Sequence, residues 1–120
     1  MKRLVMYGRT SGCPFISVAK RVFNDYGLTY EEIMIDKDSD ARRRVQDWTG
    51  FLAVPTIVAA EEGSVLPYEE PAHLPKGDSP RGINRGSMIT EPGIDALTAW
   101  LRQHDFIPAA EESSNGAAKA

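Results

Sequence analysis

Apolar residues recur along this chain in two rhythms. Leu4-Val5-Met6-Tyr7 is an unbroken apolar run that ends at Gly8, the pattern of a strand covered on both faces. A loop over Arg9 to Gly12 follows. Then Phe15, Val18, Ala19, Val22, Phe23 and Tyr26 return at helical spacing, with Gly27 as the stop. Pro14 fits the first turn of that helix, where its missing N–H removes no bond. Tyr30, Ile33, Met34 and Ile35 predict a second strand within 29–36. Ser39 is the expected N-cap of a helix to about Thr49, with Val45 and Trp48 on its apolar side and Gly50 beyond it. Val54-Pro55-Thr56 leads into a third strand, Ile57 to Ala60. Pro55 stands at its start, where a missing donor does least harm.

The rhythm then stops. Residues 61–86 hold Pro67, Pro71, Pro75 and Pro80 and no sustained period. They read as a long loop with room for one short hairpin around Val65-Leu66. Loops of this length inside a compact domain are uncommon and often functional, but a tolerated surface insertion explains the same pattern. Ser87-Met88-Ile89 predicts a short edge strand. Thr90 is the expected cap of a last helix, with Pro92 in its first turn and Ile94, Leu97, Trp100 and Leu101 on its apolar face. Residues 109–120 are small and polar and are expected to be disordered. The order strand, helix, strand, helix, strand, loop, strand, helix predicts an α/β domain over 1–108, and its two crossovers predict parallel pairing.

Composition narrows the class. Hydrophobic residues make up 42% and charged residues 26%, with a net charge of −3, as in ordinary globular domains. Arg42-Arg43-Arg44 is the densest basic run, and on a helix its members point in different directions, so no nucleic-acid partner is expected. No stretch reaches the roughly 18 apolar residues of a membrane helix, so no membrane partner is expected. His73 and His104 lack metal-ligand spacing and read as surface residues, so no metal is expected. Trp48 and Trp100 fit helix core faces.

The chemistry converges on Cys13, the one cysteine among 120 residues. It cannot close an internal disulfide, which suits a reducing compartment and makes the cytoplasm the expected location. It stands at a predicted helix start, where unpaired N–H groups and the dipole stabilise thiolate over thiol. A lone cysteine elsewhere would read as a small buried hydrophobe.

Three features, in order, resemble the glutaredoxins, small members of the thioredoxin fold. They are Cys13-Pro14-Phe15-Ile16 at a helix start, where that family shows Cys-Pro-Tyr-Cys; Val54-Pro55 before a strand, where it has a valine and a cis-proline; and Gly93-Ile94-Asp95-Ala96-Leu97, similar to its Gly-Cys-Asp-Asp-Leu. The resemblance implies a thioredoxin-like three-layer fold with a mixed four-stranded sheet flanked by helices. Because Ile16 replaces the second cysteine, it implies a monothiol form. The implied activity is thiol–disulfide exchange through Cys13, with glutathione as co-substrate and a glutathionylated or disulfide-containing protein as target. The implied glutathione contacts are Arg9 for the glycyl carboxylate, Phe15 as an apolar wall, the Val54 backbone, Pro55, and Thr90 and Asp95 at the γ-glutamyl end. Arg9 reads equally as a surface charge, Asp95 as a first-turn helix carboxylate, and Phe15 as core. The loop at 61–86 replaces a tight hairpin beside the family's groove. Two non-catalytic readings remain: an iron–sulfur cluster carrier formed by two subunits, from which Pro14 and Ile16 depart, and a thioredoxin-fold module that docks a protein partner.

Overall fold

A computed structural model describes residues 2–11 and 13–108 of the chain. The elements are β1 (Lys2–Gly8), α1 (Pro14–Asp25), β2 (Tyr30–Met34), α2 (Ser39–Thr49), β3 (Thr56–Glu61), β4 (Met88–Thr90) and α3 (Ile94–Gln103). The strands form one sheet in the order β2-β1-β3-β4. β1 pairs parallel with β2 and antiparallel with β3, and β3 pairs antiparallel with β4. The sheet is therefore mixed. The first crossover delivers the expected parallel neighbour. The second does not, because β3 returns on the other side of β1 and runs against it.

Strand alternation assigns the layers. Leu4 and Met6 share a face with Tyr30, Ile57 and Ala59, and Tyr30 packs on Phe23 of α1 with ring centroids 4.8 Å apart. Tyr7 points the other way and meets Trp48 of α2 edge to face, with centroids 5.3 Å apart. With α1 and α3 in contact on one face and α2 on the other, the fold is a three-layer, thioredoxin-like α/β sandwich. That is why Leu4, Val5, Met6 and Tyr7 are all buried, and why β1 reads as a continuous apolar run.

Several ends differ from expectation by a residue or more. Asp38, not Ser39, caps α2; its backbone is extended and its Oδ1 accepts from the N–H groups of Asp40 and Ala41, both at 3.1 Å. Gly93, not Thr90, is the N-cap of α3, so Pro92 precedes the helix instead of opening it. Thr90 is drawn into β4 opposite Thr56. The expected tail over 109–120 lies outside the described residues.

The segment between β3 and β4 has no strand of its own, and the anticipated hairpin is reduced to a turn and a single bridge between Ala60 and Pro67. It is nonetheless firmly tied. Tyr7 donates its hydroxyl to Val65 O, and Ser87 Oγ donates to Glu69 O at 2.6 Å. Arg85 reaches Ala72 O at 2.8 Å and Trp48 O at 2.6 Å. Gly86 O takes both Trp100 Nε1 at 2.8 Å and His104 Nε2 at 2.6 Å. His104 is thus a half-buried clamp rather than the expected surface residue. His73 is exposed.

Candidate functional site

The site is built where α1 begins. Cys13 is the N-cap of α1, extended at φ −148° and ψ 132°, with Pro14 in the first turn. Its carbonyl accepts from the N–H groups of Ile16 and Ser17 at 3.0 and 3.1 Å. No side chain caps this end, and no acidic residue occupies the first turn. The helix therefore presents its positive end beside the sulfur without a competing carboxylate on its own first turn. The cysteine is half-buried: its inner side packs on the core and its remainder is open to solvent. Ile16, at the place of a second thiol, is 6% exposed and belongs to the core.

Opposite the cysteine lies the turn before β3. Cys13 Sγ is 3.6 Å from Val54 O, within reach of a weak S–H donor. The Val54–Pro55 bond is cis. Two hydroxyls brace this turn from beneath. Thr56 Oγ1 donates to Ala53 O at 2.9 Å and lies 3.1 Å from Thr90 Oγ1. A hydroxyl has one proton, so Thr90 is the donor in that pair. The side chain of Thr90 is therefore committed inside the sheet, where it supports the turn. Pro55 O in turn accepts the N–H of Glu91 at 2.8 Å, which ties the end of β4 to the same turn.

The loop ahead of the cysteine is tethered as well. Thr10 N–H donates to Asp36 Oδ1 at 3.1 Å. Hydrogen bonding from Thr10 holds the Asp36 carboxyl below its usual range. Arg9 is exposed, and Asp95 is exposed in the first turn of α3. Neither forms an ion pair among the described residues. The structure thus sets the Cys13 sulfur against the Val54–Pro55 turn. It turns the Thr90 side chain inward and leaves Arg9 and Asp95 free at the surface.

Sequence reasoning missed two residues here. Arg81 Cζ lies 5.1 Å from the centre of the Phe15 ring, and Arg81 Nε donates to Glu91 Oε1 at 3.0 Å. Phe15 is half-buried, with its ring beneath that guanidinium. Arg81 and Glu91 also line a groove of about 360 Å³ with Phe51, Leu52, Ala53, Ser79 and Pro80. Ala53 adjoins Val54, so this groove runs up to the turn that faces the sulfur. The sequence signals were faint: a charge after Pro80 in an aperiodic segment, and a charge before Pro92.

No helix among the described residues is long and apolar enough to cross a membrane, and no cluster of three metal-ligating side chains occurs among them. In overall shape the chain is similar to the holo form of glutaredoxin C1 from Populus tremula × tremuloides, at 16% identity over 86% of this chain and 77% of that one, with a TM-score of 0.44. It is similar to the buckwheat glutaredoxin–glutathione complex at 20% identity over 88% and 71%, with a TM-score of 0.44. It is similar to a glutaredoxin from Archaeoglobus fulgidus at 28% identity over 58% and 79%, with a TM-score of 0.42. None of the curated proteins matches the chain. The assignment rests instead on the glutaredoxin family model, which matches residues 4–63, half of the chain, and takes in both Cys13 and the Val54–Pro55 turn. The chain belongs to the glutaredoxin family, whose members are typically oxidoreductases.

Proposed function

We propose that the chain is a monothiol thiol–disulfide oxidoreductase that works through Cys13 and a mixed disulfide with glutathione or a similar thiol. One observation carries this reading: a half-buried Cys13 at an uncapped helix start, its sulfur 3.6 Å from the Val54 carbonyl beside Pro55. The thiolate of Cys13 attacks the glutathione sulfur of a glutathionylated protein. The Cys13–glutathione bond forms, the original disulfide breaks, and the target leaves as a thiolate that takes up a proton. A second glutathione thiolate then attacks the adduct. Oxidised glutathione departs and Cys13 is restored, in a ping-pong sequence.

In this reading the backbone of Val54 pairs with the cysteinyl portion as an added strand. Phe15 and Pro55 wall the groove, Arg9 receives a carboxylate, and the start of α3 with Asp95 receives the γ-glutamyl end. Thr90 contributes by bracing the turn. Residues 1–108 form the working domain. Mass spectrometry of the intact chain after incubation with oxidised glutathione tests the proposal. One glutathione adduct is expected on the native chain, removable by reduced glutathione, and none on Cys13→Ser. A native chain that stays unmodified while a small alkylating agent reaches Cys13 overturns it.

A further inference from the structure

The segment between β3 and β4 lies almost wholly outside the family match over residues 4–63, yet it places a charge at the mouth of the site. Gly82 N–H donates to Thr90 O at 2.7 Å and Arg81 bridges to Thr90, so residues 79–82 run alongside the end of β4. Pro80 is buried and fixes the backbone just before Arg81. Glu91 takes the Nε–H of Arg81 at 3.0 Å, and Phe15 lies under the guanidinium plane at 5.1 Å. A carboxylate on one edge and an aromatic face below hold the group in place. The two Nη groups have no protein partner among the described residues, and the side chain is 62% exposed. A planar fork with its outer donors open is suited to one more carboxylate.

We infer that Arg81 is a specificity-determining residue of the Cys13 groove: its free Nη donors bind a carboxylate of the incoming thiol or disulfide and select acidic substrates over neutral ones. The inference rests on the proposed exchange reaction and names the substrate class, a low-molecular-weight disulfide bearing carboxylates. Arg9 stands on a loop with no partner holding its guanidinium in one direction, whereas Arg81 is oriented before any ligand arrives. An ordered donor loses less side-chain freedom on binding. Glu91 and Phe15 act through Arg81 as positioning residues.

The test compares the rates at which full-length chain is modified at Cys13 by oxidised glutathione and by the neutral bis(2-hydroxyethyl) disulfide. In Arg81→Ala the ratio of the two rates is expected to fall about tenfold, the size of one charge-assisted contact. Arg81→Gln should fall with it, and Arg81→Lys should recover part of the ratio. A separate arm titrates S-methylglutathione, which keeps the carboxylates but has no reactive sulfur, into Cys13→Ser. Adding Arg81→Ala should weaken that binding to a similar degree. A rate ratio and an affinity that both move by less than about twofold overturn the inference. If Cys13 reacts with neither disulfide while S-methylglutathione still binds through Arg81, the oxidoreductase reading falls and the carboxylate site stands.

Discussion

Arg81 and Arg85 leave the same segment four residues apart and meet opposite fates. Arg85 is 8% exposed and spends its donors on the carbonyls of Ala72 and Trp48. It has no carboxylate partner among the described residues, and burial lowers its pKa. A guanidinium there remains protonated, so backbone dipoles must do the work water would do. Arg81 has one carboxylate partner, an aromatic floor and most of its surface in solvent. Arg85 fastens the segment to α2. Arg81 is what the fastening presents. Within a stretch without regular structure, the anchored part and the working part are told apart by whether the donors are used up.

Four measurements break or sharpen that contrast. Arg85→Ala takes a buried donor group from the carbonyls of Ala72 and Trp48, and a loss of about 2 kcal/mol or more is expected in urea unfolding. Trp100→Phe removes the Nε1–H and part of a fully buried ring, while Gly86 O keeps its bond from His104, so a loss of about 2 kcal/mol is expected. Arg81→Ala should change stability by about 0.5 kcal/mol or less, as exposed pairs do; a loss comparable to that of Arg85→Ala would erase the distinction. The smallest effect concerns the other lip of the site. The Asp36 carboxyl has a lowered pKa in the folded chain. Its contribution is therefore present above the unfolded value of about 3.9 and is lost as pH falls through the folded pKa. Urea midpoints of native chain and Asp36→Asn should differ at neutral pH and converge in acid.

The approach of Cys13 to the Val54–Pro55 turn was legible because both are built from residues with strong local signals. An apolar run, then a cysteine and a proline before a helical period, specifies β1, the loop and α1 almost without tertiary information. Val54-Pro55 before a second apolar run does the same for the facing turn. The errors arose where two neighbouring residues offered similar chemistry. Asp38 and Ser39 are both capable caps, and the extended backbone of Asp38 decided between them. Thr90 before Pro92 looks like a helix start, but pairing with Thr56 holds it in the sheet. Glu91 then turns with φ 47°, and the helix begins only after Gly93. The partners of Arg81 could not be read at all. Phe15 and Glu91 are distant or unremarkable in sequence, and only the return of the chain along β4 brings them together.

The burial of Ile16 has a consequence for how long any covalent state lasts. The core claims the position from which a neighbouring sulfur would have to strike, and these 120 residues hold no other thiol. Under the proposed exchange, whatever bonds to Cys13 is therefore released by a thiol of the adduct itself or of another molecule. Occupancy then tracks the surrounding pool of reductant, so the residence time of an adduct is a property of the medium as much as of the protein.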